Sequence, residues 1–534
     1  MTPKAKTLAS SGKSLCGSLV SYEWSFKCPE ISMNHSVAKK NDQRTSFSYT
    51  KILSVLAVTL SVAGCAVSPA QSSDGPEYEV TSSQLDVRGV GAIEGKEYTI
   101  MVPENRANKD SRLIALRFVV LEAMQPSALP PVVYLAGGPG GSATGAAQSP
   151  RWPLFDALRQ NRDVILLDQR GTGLSDAPPD CISSIGWSEE DVADRDTFIG
   201  KHRMAFRECR DFWQEEGVEL SGYTTSESAH DLAAISKALD TPLSLLGISY
   251  GTHLGLATMD EHPEIIDRVV LVSVEGLDQT VKLPARTDAY FERLQSALNE
   301  GAADQDFPPY PDLAEALRIG LERIERDRPV IDVFVARNQP PVKRTLGAFA
   351  VQRAISFALS DPDRATDVAN GILAMAAETP DYSLMARFGF LMLDQIELRA
   401  MPTIMDMASG ISPERNALVS GQSPVALLGD APNFPMPHLA NESGSFRMPD
   451  EFRETPSSDV PTLVLSGTLD ARTYPEAALE ATAGLTERTM ITVENGGHNL
   501  FFDHPDIVPD IIAFLAGENL EDKVLIADLP KASR

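Results

Sequence analysis

Short apolar runs that stop abruptly at turn-forming residues constrain this chain more than any other feature. Pro131-Val132-Val133-Tyr134-Leu135 ends in Ala136-Gly137-Gly138-Pro139-Gly140-Gly141, and Asp163-Val164-Ile165-Leu166-Leu167 ends in Asp168-Gln169-Arg170-Gly171-Thr172-Gly173. Leu243 to Leu246 and Val269 to Val274 are two more, and the pattern returns at Pro461-Thr462-Leu463-Val464-Leu465 and Met490-Ile491-Thr492-Val493. A strand with one wet face alternates apolar and polar residues. Runs without alternation predict strands buried on both faces, hence a parallel sheet covered by helices. Glu97 to Val102 and Leu113 to Leu121 also read as strands. Between them lie helical signals: Thr224 to Glu227 has capping-box spacing, followed by a stripe of Leu232, Ile235 and Leu239. Strands alternating with helices give the α/β class.

From about Leu277 to Thr455 the alternation stops. Leu313, Leu317, Leu321 and Ile324 recur at helical spacing, as do Val351, Ile355 and Leu359, while Gly410 to Arg453 is rich in Pro, Gly, Ser and Asn and reads as loop. The expected organisation is a core over 79–276, a mainly helical insertion over 277–455, the rest of the core over 456–520 and a tail over 521–534.

Gly247-Ile248-Ser249-Tyr250-Gly251 follows one of the predicted strands and precedes a helix starting near Thr252. In that context G-x-S-x-G is a nucleophile elbow: a sharp strand-to-helix turn presents the serine at the carboxyl end of the sheet, and the glycines let backbone pack closely. The Tyr250 N–H, at the helix start, would face a developing oxyanion. A serine hydroxyl needs a base, and the base an orienting acid. Asp470 lies just past one late strand and His498 just past the next, in the order Ser, Asp, His. His498 is thus the candidate base and Asp470 the residue that fixes its tautomer. The other histidines lie in the leader (His35), on helical stretches around the elbow (His202, His230, His253, His262), in the loop-rich part of the insertion (His438) or too far past the strand (His504). Gly138, after an early strand, is the candidate for the second oxyanion donor.

Together, Ala136-Gly137-Gly138-Pro139-Gly140, Asp168 to Ser175, Tyr223-Thr224-Thr225 and Gly247 to Thr252 resemble the proline iminopeptidase/tripeptidyl aminopeptidase group of α/β-hydrolases. The resemblance spans roughly Tyr134 to Glu275 and Pro461 to His498. It implies an α/β-hydrolase fold with a helical cap over a Ser249-His498-Asp470 triad, an acyl-enzyme, and removal of amino-terminal residues from short peptides. It also implies structural roles for Asp168 and Arg170. Two departures stand out: Ala136 replaces the His usual in iminopeptidases, and the cap carboxylates that hold a substrate's α-ammonium group have no clear counterpart. Glu275, Glu397 and Asp406 are the candidates for that role, since an ammonium buried without an anion is costly. The alternatives are an esterase or lipase acting on small acyl esters, with the same triad chemistry, and a non-catalytic binding lipoprotein.

Lys51 is followed by an apolar run, Ile52 to Val62, ending in Val62-Ala63-Gly64-Cys65. The run is shorter than the roughly 20 residues of a spanning helix but suits a signal peptide. Its end resembles a bacterial lipobox, which implies lipidation of Cys65 after removal of 1–64, with 65–78 as a tether. Met33 begins a conventional signal peptide and is the expected start. Ala66 after that cysteine points to the periplasmic face of an outer membrane. Cys181 and Cys209, an even pair in an exported chain, are expected to be bridged. The net charge is −27; the first 64 residues hold eight basic and three acidic side chains, a surplus of five, so the remainder carries −32. Such a surface repels phosphate backbones, which argues against nucleic acid as a partner. No metal-ligand spacing, phosphate loop or dinucleotide fingerprint is present, so neither metal nor cofactor is expected.

Overall fold

The computed structural model describes residues 77–334, 340–359, 364–387 and 395–531. The predicted leader, Cys65 and nearly all of the tether lie outside the described residues.

Ten strands build one sheet: β1 (Tyr78–Val87), β2 (Gly91–Pro103), β3 (Leu113–Leu121), β4 (Val132–Leu135), β5 (Val164–Asp168), β7 (Leu243–Ser249), β8 (Ile266–Val274), β12 (Thr462–Gly467), β13 (Arg488–Glu494) and β14 (Lys523–Ile526). Their order is β1-β2-β3-β5-β4-β7-β8-β12-β13-β14. Pairings from β1 through β3 to β5 are antiparallel, and every pairing from β5 to β14 is parallel. The sheet is therefore mostly parallel, with helices in the connections between its parallel strands. Two short antiparallel ribbons stand apart: β6 (Cys181–Gly186) with β11 (Gln395–Leu398), and β9 (Val330–Val333) with β10 (Val342–Thr345).

The uninterrupted apolar runs are explained by burial on both faces. Val133, Leu135, Leu245, Val269 and Leu271 enter one core cluster, while their neighbours Val132, Tyr134, Leu246, Val270 and Val272 enter the other. At about 1.5–3 kcal/mol for each fully buried large apolar side chain, every residue of these runs contributes to one core or the other. The helix Thr225–Leu239 starts as its capping signal demands, with the Thr224 side chain accepting from the Glu227 amide.

Between β8 and β12 the chain divides its packing. Helices from Pro284 to Arg387 form a third core with Leu313, Leu317, Ile324, Val351 and Ile355, and Val192, Phe198 and Ile199 from before the elbow join it. The helix Ala400–Ser409, by contrast, buries Met401, Ile404 and Met405 in the main core. Two sequence expectations are corrected here. The tail over 521–534 contains β14, which pairs in parallel with β13. The stretch Gly410 to Arg453 is not only loop: it holds the helix Pro413–Gln422, started by Ser412, whose side chain accepts from the Arg415 amide. The insertion, in which helices predominate, also contains the short strands β9, β10 and β11.

A buried ionic network ties the first half together. Arg170, wholly buried, donates to both carboxylate oxygens of Asp231 at 2.8 and 2.7 Å, and its Nη1 donates to the carbonyl oxygens of Glu104 and Gly222. Asp231 also accepts from Arg106, which pairs with Glu227. Removing one member of such a network strands a buried charge, a loss of about 3–5 kcal/mol. The Cys181–Cys209 disulfide joins β6 to the helix Arg195–Glu215.

Candidate active site

Ser249 closes β7 with φ 55° and ψ −127°, a backbone conformation that side chains avoid. Packing holds it there. A Cβ on Gly247 would lie 2.4 Å from the Gly251 carbonyl oxygen, and one on Gly251 would lie 2.0 Å from that of Leu135. Strand and helix therefore cross at a distance only glycine allows. Thr252 Oγ1 donates to the Ser249 carbonyl at 2.6 Å and accepts from the Glu275 amide at 2.8 Å, fastening the turn to the end of β8. Tyr250 is already the first helical residue, two positions earlier than the sequence suggested, so its N–H is one of the unpaired amides of a helix start.

The glycine loop after β4 covers the same spot. A Cβ on Gly137 would sit 2.9 Å from Ser249 Cβ and 3.6 Å from its Oγ, so Gly137 faces the serine with nothing between. Gly138 follows at φ +126°, and the Gly141 amide donates back to the Gly137 carbonyl at 3.0 Å. Buried Asp168 braces the loop and the helix after it, accepting from Ser142 Oγ at 2.9 Å, Thr144 Oγ1 at 2.6 Å and the amides of Thr144 and Leu174. Gln169 Nε2 donates to the Ala136 carbonyl at 3.2 Å. From above, a Cβ on Gly140 would come 3.1 Å from Pro402, which seats the helix Ala400–Ser409 directly on this loop.

Asp470 and His498 meet. His498 Nδ1 lies 2.9 and 3.1 Å from the two carboxylate oxygens of Asp470. A carboxylate only accepts, so Nδ1 carries the proton and Nε2 is left with its lone pair. Asp470 is fully buried, which alone would raise its pKa. The adjacent His498 and the donors Thr473 Oγ1 (2.6 Å) and the amides of Arg472 and Thr473 (2.7 and 2.8 Å) instead hold it below the ordinary carboxylate range. The His498 carbonyl accepts from Ser273 Oγ on β8 at 2.9 Å, and Ser249 is paired with Val274 of the same strand. Ser249 thus stands at the carboxyl end of β7, and the paired Asp470 and His498 stand past the carboxyl ends of β12 and β13, on the same edge of the sheet with β8 between.

Of the three carboxylates considered for an ammonium group, two converge. Glu275, buried just after β8, pairs with Lys282 Nζ at 2.7 Å. Burial pushes its pKa up, but the Lys282 charge outweighs this and holds it low. Asp406 lies one helical turn beyond Pro402, partly buried. Burial and the charge of Glu275 push it up to about 7, against the pull of Lys282 and Arg472, and its charge also reaches Tyr250. Glu397 is different. It is exposed on β11 opposite Ile182, with Asp180 and Arg399 as its electrostatic neighbours.

Thr473, Ser273, Thr252 and Pro402 were missed by sequence reasoning. Thr473 lies in the turn that follows Asp470, where an Asp side chain accepts from backbone just beyond it, and was the most accessible of the four to sequence reasoning. The other three depend on contacts between distant elements.

Residues 130–322 match the family model described as alpha/beta hydrolase fold, and 446–524 the one described as TAP-like protein. The chain is similar to the tripeptidyl aminopeptidase of Streptomyces coelicolor, with 31% identity over 151 residues, 27% of this chain and 28% of that protein. It is also similar to the serine protease Hip1 of Mycobacterium tuberculosis, with 28% identity over 241 residues, 42% and 43% of the two chains. The chain spans less than half the length of either of these curated relatives. Among solved structures, a meta-cleavage product hydrolase from Pseudomonas fluorescens superposes on 76% of this chain and 96% of that one, at 14% identity and a TM-score of 0.36.

Proposed function

We propose that this chain, which belongs to the α/β-hydrolases, is a serine hydrolase that removes amino-terminal residues from short peptides through an acyl-enzyme. One observation carries the reading: an oriented His498–Asp470 pair and a strained serine share one sheet edge beneath a glycine loop. In this mechanism His498 Nε2 takes the Ser249 proton as Oγ attacks the scissile carbonyl. The Tyr250 and Gly138 amides receive the oxyanion. The imidazolium then gives its proton to the departing amine, and water repeats the sequence on the ester to release the acid and restore Ser249. Losing one oxyanion donor in such a site typically costs about 3–4 kcal/mol of transition-state stabilisation.

Asp406 supplies the preference for a free amino terminus in this reading. Lys282 already neutralises Glu275, which leaves Asp406, without a hydrogen-bonded cation, as the carboxylate for the α-ammonium group. Below about pH 7 Asp406 is protonated and uncharged; above it the carboxylate attracts the ammonium. KM for free-amine aminoacyl and tripeptidyl arylamides is therefore expected to fall as pH rises through 7. N-acetylated arylamides and short acyl esters should show no such change, and Asp406→Asn should flatten the profile while raising KM about tenfold. Steady-state kinetics on this panel decides. Ester turnover with no amide turnover, or equal KM for free and acetylated peptides, overturns the peptidase reading.

From the lipobox-like Val62-Ala63-Gly64-Cys65 we further propose that acyl chains on Cys65 hold the protein on the periplasmic face of the outer membrane. Incorporation of labelled palmitate is expected in the intact chain and lost in Cys65→Ser; label that persists in the variant refutes the anchor.

A further inference from the structure

Away from the triad, the helices Thr225–Leu239 and Tyr250–Glu261 bring His230 against the adjacent pair Glu261-His262, remote from it in sequence. His230 on the first helix meets Glu261 and His262 at the end of the second, and one ligand atom from each lies within 4.8 Å of the others. His230 Nδ1 is 2.7 Å from His262 Nε2 and 3.8 Å from Glu261 Oε2. All three side chains are partly exposed, so an ion could enter from solvent. Two imidazole nitrogens this close require a proton between them, one ring donating N–H to the other's lone pair.

We propose that a divalent transition-metal ion of the zinc class replaces that proton, bound by His230 Nδ1, His262 Nε2 and Glu261 Oε2 with a fourth position open to water. Two imidazoles and one carboxylate suit a borderline cation and do not suit calcium or magnesium, which take all-oxygen shells. Tetrahedral ligands about 2.0–2.1 Å from zinc stand about 3.3 Å apart. The two nitrogens must therefore separate by about half an ångström, a side-chain adjustment for residues at a helix surface and a helix end.

The surrounding groups point the same way. His262 turns its other nitrogen, Nδ1, toward Glu264 Oε1 at 3.4 Å, the carboxylate–imidazole pairing that fixes a metal-binding tautomer. Glu261 turns its other oxygen, Oε1, to the Ser226 hydroxyl, which orients the carboxylate. The nearby Arg106 is neutralised by Glu227 and Asp231 and does not repel a cation outright. An ion here would clamp the far end of the helix that begins at the candidate nucleophile.

The test is equilibrium dialysis of the tag-free, chelator-stripped full chain against zinc, with bound metal measured directly. One zinc per chain is expected at micromolar free zinc, with at least tenfold weaker binding in His262→Ala and Glu261→Gln. Binding should weaken about tenfold in Glu264→Gln and stay unchanged in His504→Ala. Zinc should also raise the melting temperature of the intact chain by several degrees and leave that of Glu261→Gln, whose side chain keeps its shape, unmoved. Absence of saturable binding, binding equal in the intact chain and Glu261→Gln, or binding that is lost in His498→Ala instead of His262→Ala overturns the proposal.

Discussion

Ser249→Ala is expected to lower turnover of every arylamide and ester by on the order of 10⁴–10⁶-fold and to abolish labelling by a fluorophosphonate probe. The size of the effect follows from the proposed mechanism, in which Ser249 Oγ forms the acyl bond and the residual rate reflects binding and the oxyanion donors. Stability should separate this result from unfolding. Ser249 is held at φ 55° and ψ −127°, a region in which a side chain costs about 1–3 kcal/mol and glycine much less. Ser249→Gly is therefore expected to be as inactive as Ser249→Ala yet more resistant to denaturant, by about 1 kcal/mol after the extra chain entropy of glycine is counted. Fluorophosphonate labelling and guanidinium melts of the two variants check both halves. Labelling that survives in Ser249→Ala would place the nucleophile elsewhere. A Ser249→Gly chain weaker than Ser249→Ala would show that the turn stores no strain.

What the sequence reveals about this molecule is governed by how local the relevant physics is. The central strands were readable because burial on both faces leaves a continuous apolar mark, and Thr224 because a capping hydroxyl must sit at fixed spacing from its amide. The elbow was readable because the clashes at Gly247 and Gly251 are created within one strand-turn-helix unit and the strand beside it. The edges were not. In β14 only Leu525 is buried while Val524 and Ile526 are largely exposed, so Lys523–Ile526 becomes a strand through pairing with β13 and not through its own pattern. β1 likewise carries a polar Thr-Ser-Ser-Gln stretch and depends on β2 for its shape. The same holds for the site. Asp470 and His498 could be found from chain order, whereas the Glu275–Asp406 neighbourhood and the His230–His262 contact arise only where remote elements pack. Glu397 shows the converse: an acidic residue in the insertion is as easily placed on an outer ribbon as over the serine.

Asp470→Asn should lower kcat about 10⁴-fold with little change in KM, and the reason lies in how the side chain is fixed. Asp470 Oδ1 accepts from the backbone amides of Arg472 and Thr473, at 2.7 and 2.8 Å, and these donors cannot turn away. An asparagine must keep its carbonyl oxygen on them, which directs its NH₂ group at His498 Nδ1. A nitrogen that now accepts must surrender its proton, and the ring carries it on Nε2 instead, where it can no longer take the Ser249 proton. The imidazolium that forms in the transition state also loses its counter-charge. Folding should be nearly unaffected, because the amide still satisfies both backbone donors. Asp470→Ala would instead leave those two buried amides unpaired, at about 1–3 kcal/mol each, and confuse lost chemistry with lost structure. Asp470→Asn within tenfold of the unmodified enzyme, with an unchanged melting temperature, would mean that the tautomer of His498 does not limit the reaction.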